Sequence, residues 1–342
     1  MKKIICLVMG LLMLFGQVNL NFSYADTAEI EGCIKSLEVG TTFNYRNLSI
    51  VPIYARSTRD KTDYVTLDEA VERGYITISE LDGGRVPQVR LNNNSGRYIL
   101  LVAGEILTGC RQDRLVGRDA LIGPKSKNVI LPVYCSEQGR WTSKGSYFES
   151  EKTQATPALR SQIYTGDSQD GIWRGIAKAA EKLSVRSETS ALQEIYRDQD
   201  VEKRMRAYVD KLEEFPRLEE DAVGIVVGLG DRVVGVDIFA NPRIFNSLWP
   251  KLLKSYVALA ISEEGQSGTL TQKQAKDVLN EVYRAKFSRQ PGLDLGEDLQ
   301  ANPAGMVCAA LVYRSGVVHL GAFPTDAGFS RGSQGPRIPV ID

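Results

Sequence analysis

Two pairs of apolar runs in the C-terminal third constrain the fold of this chain more than any other feature. Residues 222–229 and 232–240 are rich in Val, Ile and Gly, with only Gly230 and Asp231 between them. That spacing reads as a β-hairpin. Residues 306–313 and 317–323 repeat the arrangement around Ser315 and Gly316. A sheet of two hairpins needs another layer to cover it. Between the hairpins, Asn241 is a natural helix N-cap and Pro242 suits a first turn, so a helix is expected over 243–261, apolar on one face. A second helix follows over 271–287.

The N-terminal half reads as mainly β. Residues 98–103 are a continuous apolar run, matching a strand buried on both faces, and 129–134 are another, interrupted by Pro132. Residues 48–55 contain Pro52, which predicts an edge strand. Thr66 and Glu69 have capping-box spacing for a short helix that stops at Gly74. Strands are expected at 75–81 and 86–91, joined by a turn at Asp82, Gly83 and Gly84. Residues 149–169 are rich in Ser, Thr and Gln and read as a linker or long loop. Beyond them Ile172, Trp173, Ile176, Ala179, Ala180 and Leu183 recur at helical spacing, and helices continue over 190–197 and 201–215, where Pro216 ends them. The expected class is α+β: a β-rich half at 26–148, a helical middle, and a C-terminal β-hairpin–α–α–β-hairpin layer within 170–331. The two halves are expected to form either one compact domain or two. Residues 332–342 read as a loose tail.

Residues 1–25 read as a secretory signal peptide. Lys2 and Lys3 precede a short apolar core, and Ser23, Tyr24 and Ala25 resemble a cleavage site. The expected location is periplasmic or extracellular, with no membrane span after cleavage. The 342 residues hold 42 basic and 42 acidic side chains. Such a balance lacks the basic excess on which nucleic-acid binding draws.

The single histidine, His319, narrows the chemistry further. It excludes histidine clusters for a catalytic metal. It sits in an apparent strand, where a structural, hydrogen-bonded role is expected. No pattern here calls for a metal or cofactor. Cys33, Cys110, Cys135 and Cys308 remain after leader removal, and export would permit a disulfide among them. No pairing follows from spacing.

The densest polar cluster runs from Gly104 to Trp141. Glu105 follows a buried strand, where it serves as an acid or base with a raised pKa, or as a salt-bridge partner of Arg114 or Arg140. Gln112, Asp113 and Arg114 form a loop beside Gly109. Asp113 suits a hydroxyl or a metal, and Arg114 a carboxylate or phosphate. Glu137, Gln138, Arg140 and Trp141 surround Gly139, whose missing side chain permits a tight turn or close approach to a ligand. Trp141 would stack on a flat or sugar-like ligand, with Arg140 holding its anionic group. The alternative is a structural corner, with Trp141 buried and Glu137 paired to Arg140. Cys135 reads as a buried thiol or disulfide half rather than a nucleophile. Asp237 lies in a strand, where it either completes the site from the second half or faces solvent by alternation.

These motifs are similar to those of the ARG-and-rhodanese-phosphatase-superfamily-associated protein domain. The residues carrying the resemblance are Thr66 to Ala70, Gly104 and Glu105, Gly109, Gln112 to Arg114, and Cys135 with Glu137 to Trp141. Val233 to Asp237 and Leu248 to Leu253 also fit, so the resemblance spans roughly residues 36–262. The family's name records association with ADP-ribosylglycohydrolase and rhodanese-phosphatase proteins, which implies nucleotide- or phosphate-linked metabolism. This chain departs from the pattern in its export leader and in Cys110, where a small residue is usual.

Three functions follow as expectations. The first is an exported protein binding a small anionic or sugar- or nucleotide-derived ligand through Gln112, Asp113, Arg114, Gln138, Arg140 and Trp141. The second is a carboxylate-based hydrolase with Glu105 and Glu137 as acid and base. The third is an interaction module in which the cluster is only a corner. The sequence leaves the oligomeric state open.

Overall fold

The computed structural model describes residues 27–325, except 57–59, 82–86, 141, 143 and 216–218. The expected leader, the turn at 82–84, the stop at Pro216, Trp141 and the tail therefore lie outside the described residues. Among the described residues the chain forms eighteen strands and eight helices in an α+β arrangement. No described helix is long and apolar enough to cross a membrane.

The largest sheet is built on the two expected hairpins. Strands β13 (Ala222–Leu229) and β14 (Arg232–Phe239) form the first, β17 (Met306–Tyr313) and β18 (Gly316–Pro324) the second, and β14 pairs with β18. The order is β1-β3-β13-β14-β18-β17-β16-β15, with β2 also on β3. Here β1 is Leu37–Val39, β2 Phe43–Tyr45, β3 Leu48–Ala55, β15 Ser288–Pro291 and β16 Glu297–Ala301. Strands from both halves of the chain thus share one sheet.

Both faces of this sheet are covered. Ile225 and Val227 face one core with Leu248, Leu252 and Tyr256, whereas Val223 and Val226 face another with Ile30, Val278 and Leu279. The second side is closed by α1 (Ala28–Lys35) and α8 (Gln272–Arg284). The first carries α3 (Pro157–Thr165), α4 (Gln169–Leu183), α5 (Leu192–Arg197), α6 (Gln199–Leu212) and α7 (Pro242–Ser262). Double coverage explains why β13 is apolar at nearly every position rather than at every second one.

A six-stranded antiparallel sheet has the order β12-β8-β9-β11-β6-β5: Phe148–Gln154, Glu105–Gly109, Arg114–Val116, Val129–Cys135, Gln88–Asn93 and Ile76–Glu80. Beside it, β7 (Tyr98–Leu101) pairs with β4 (Tyr64–Thr66) and β10 (Ala120–Ile122). The short helix α2 (Leu67–Glu72) is capped as its spacing predicts, with Thr66 accepting from the Glu69 amide at 3.3 Å.

Two expectations need correction. Residues 149–169 are not a linker. They supply most of β12, helix α3 and the start of α4. The strand looks polar because it is a sheet edge with a bulge between Ser150 and Gln154. The helix looks polar because its apolar contact rests on a few positions, Leu159, Ile163 and Tyr164, among polar neighbours. Pro52 does not mark an edge either, since β3 is flanked by β13 on one side and by β1 and β2 on the other. Its carbonyl accepts from Gly40 on the β1 side. The missing N–H therefore points at the break between Val39 and Phe43, where no strand hydrogen bond is lost.

Leu159 is 1% exposed. Leu159→Ala is expected to cost about 2–5 kcal/mol in urea unfolding. A change within experimental error would mean that the segment contributes no core.

Candidate functional site

The residues singled out in the sequence fall into separate buried groups. The first is a corner where the ends of β8, β9 and β11 meet. Arg140 lies at its centre, its side chain 9% exposed. Nε donates to Glu137 at 2.8 Å, and Nη2 reaches Asp113 at 2.8 Å and Glu137 at 2.7 Å. Nη1 donates to the carbonyls of Cys110 and Thr142, each at 2.8 Å. Every guanidinium N–H is thereby used within the protein, leaving none to grip a ligand. Burial alone would raise the Glu137 carboxyl, but Arg140 and the Asp113 amide outweigh it and hold it below the ordinary range. Burial does raise Asp113, against the Gly109 amide and Arg140.

Arg114 is equally enclosed. Its Nη1 lies 3.1 Å from the Gln112 side-chain oxygen and 3.2 Å from the Cys135 sulfur, and Glu80 stands 3.7 Å from Nη2. Burial pushes the Cys135 thiol up, away from nucleophilic character. Cys33, Cys110, Cys135 and Cys308 are all free thiols. Gln138 is exposed, with its backbone amide on Thr189. Gly139 does permit a close approach, but to the chain's own backbone: a Cβ there would stand 2.9 Å from Thr189 Cα.

Glu105 belongs to a second group and shares no partner with Glu137. It pairs with neither arginine. One oxygen accepts from Lys251 at 2.6 Å and the other from the Val102 amide at 2.7 Å. Lys251 also reaches Asp68 at 2.7 Å. Burial raises the Glu105 carboxyl, partly offset by Lys251. Burial works against the Lys251 charge, but the two carboxylates outweigh it and hold its pKa above the ordinary lysine value.

The third group is the most deeply buried. Asp237 does not face solvent. It is fully enclosed, because β14 is covered on both faces. Its carboxylate takes both terminal nitrogens of Arg160, at 2.9 and 2.6 Å, and the Tyr256 hydroxyl at 2.7 Å. His319 links it to Asp119, with Nδ1 at 2.6 Å from Asp119 and Nε2 at 3.2 Å from Asp237. The imidazole stacks on Phe239 with ring centroids 4.5 Å apart. Burial opposes its charge, but the two aspartates prevail and raise its pKa to about 9.

The same helical layer holds an open cleft of about 580 Å³ between α3, α4, the end of α7 and the start of β14. Arg174, Lys178, Lys182 and Arg232 line it, with Thr156, Ser161, Gln162 and Thr165 on the α3 side. Lys182 and Arg232 both bind Glu263. Arg174 and Lys178 have no carboxylate partner among the described residues.

Residues 36–323 match the family model of the ARG and Rhodanese-Phosphatase-superfamily-associated Protein domain, ARPP-1. The chain is an ARPP-1 protein. The match runs past residue 262 to take in the second hairpin, as the shared sheet requires. No curated protein and no solved structure matches the chain.

Within this ARPP-1 chain, sequence reasoning missed Lys251, Asp68, Asp119 and Arg160. One signal was available for Lys251. It is the only charge between Ile244 and Leu253 on a largely buried helix. It also missed the cleft, although Arg174, Lys178 and Lys182 recur every four residues on α4.

Two outcomes are expected. Arg140→Ala should cost about 3–5 kcal/mol in denaturant unfolding, because it strands two buried carboxylates. A loss below about 1 kcal/mol would remove the clamp reading. His319 is held with a folded pKa near 9, above its unfolded value of about 6.5. Its stabilisation is complete below about pH 6.5 and is lost as pH climbs through 9. The urea midpoint should fall over that window, and His319→Asn should flatten the slope. An equal slope in the variant would exclude His319 as its source.

Proposed function

We propose that this ARPP-1 protein is an exported binder of a small anionic ligand, and that the ligand occupies the α3–α4–α7 cleft rather than the polar corner. The observation that carries this reading is the basic row on α4. Arg174, Lys178 and Lys182 stack on one helical face beside the cleft. Like charges four residues apart disfavour a helix by a few tenths of a kcal/mol, so the row has a cost without a benefit to the fold. Two of these cations have no carboxylate partner among the described residues. The cleft volume lies within the roughly 300–1,000 Å³ of small-molecule sites.

The corner supports this division of labour. The donors of Arg140 are saturated by the protein, and Glu105 and Glu137 are held in separate buried clusters. Catalysis by that carboxylate pair gains no support from such an arrangement. The export half of the reading rests on the leader pattern of residues 1–25.

Titration calorimetry with phosphate, citrate and a nucleoside monophosphate tests the site. Arg174→Ala/Lys178→Ala should weaken anion binding about tenfold or more, and binding should fall with added salt. The melting temperature should not drop, since both residues are exposed. Unchanged affinity in the double variant would place any anion site elsewhere.

A further inference from the structure

The cleft has two chemically different parts, and from them we infer that its ligand is an organic phosphomonoester seated by its phosphoryl group at the N-terminus of α3. This rests on the cleft being the ligand site. Its floor is apolar, formed by Leu159, Leu183, Val234, Ala258 and Leu259. Where α3 begins, Thr156, Pro157 and Ala158 also line it, and Thr156 alone of these brings a polar side chain. Thr156 occupies the N-cap position with φ -60 and ψ 157, a position at which a threonine side chain ordinarily caps its own helix. Its side chain makes no capping bond. It lines the cleft, is only 6% exposed, and its hydroxyl has no hydrogen-bond partner among the described residues.

The backbone is unsatisfied at the same place. Pro157 has no N–H, and the amides of Ala158 and Leu159 have no acceptor among the described residues. A helix start with free amides carries partial positive charge and suits an anion. The position is rigid. The Ala155 amide donates to Gly104 at 2.8 Å, and the Ala155 carbonyl accepts from Ser255 at 2.7 Å. Thr156 is thus fixed from the preceding residue before any ligand arrives.

A phosphoryl group fits this donor set better than a carboxylate. Its three terminal oxygens are strong acceptors spread tetrahedrally, enough for one hydroxyl, backbone amides and a cation at once. Arg174 and Lys178 supply the unneutralised charge that a dianion needs. The apolar floor then accommodates the organic part of the ester, which free phosphate lacks.

Calorimetry on the full chain with phenyl phosphate, inorganic phosphate and benzoate tests the assignment. Phenyl phosphate should bind most tightly. Thr156→Val should weaken it about tenfold, as loss of a hydrogen bond to a charged group does. Thr156→Ser should retain it, and benzoate should be little affected by either change. If Thr156→Val fails to fold, Thr156→Cys against Thr156→Ser gives the same comparison, because a thiol is a poor donor. Wild-type affinity for phenyl phosphate in the variant lacking the hydroxyl overturns the seat. So does benzoate binding as tightly as phenyl phosphate; if Arg174→Ala/Lys178→Ala then abolishes benzoate binding, the cleft stands as an anion site without it. Absence of binding by all three anions overturns both readings.

Discussion

The bidentate contact between Arg160 and Asp237 holds three parts of the molecule at one point. Asp237 comes from the centre of the large sheet, Arg160 from α3, and His319 joins them from the neighbouring strand. Asp119 closes the group from the chain just before β10, and also accepts the Ala103 amide at 2.8 Å. With His319 protonated, two carboxylates face two cations, so the buried charges sum to zero. Charges this deep persist only when each is paired and hydrogen-bonded. Removing one member therefore leaves another stranded.

The turn between β7 and β8 is where this group meets the next. Val102 donates to Glu105, Ala103 donates to Asp119, and the Gly104 carbonyl accepts from Ala155. Gly104 adopts φ +88, and a Cβ there would stand 2.9 Å from the Arg160 side chain. A glycine is needed on both grounds. The sequence signature at Gly104 and Glu105 is thus a device for docking the smaller sheets on the large one.

Much of the fold was legible because it rests on local rules. Hairpins around Gly230 and Ser315, the cap at Thr66, and the helix after Asn241 are set by neighbours in sequence. The misreadings at 149–169, Pro52 and Asp237 share another origin. Each depends on which strand lies alongside, which alternation within one segment does not reveal. The polar residues from Glu105 to Arg140 were correctly marked as costly to bury, and the pairing of Glu137 with Arg140 was among the readings, but the partner of Glu105 was sought among nearby arginines. Glu105 finds Lys251 across 146 positions. Composition draws the eye to such dense clusters, yet buried groups that pair with each other produce the same density. The cleft was overlooked for the opposite reason, since its basic row is spread over α4 and reads as an ordinary solvated face.

The enclosure of His319 has a consequence for how this protein can be watched. The chain contains one imidazole, and it stands where the large sheet, α3 and the Asp119 segment converge. Its nuclear resonances are therefore an internal gauge of whether those parts remain assembled. A ring that exchanges slowly and titrates late reports an intact centre. One that titrates like a free imidazole reports that the centre has opened, even where the outer helices and strands persist.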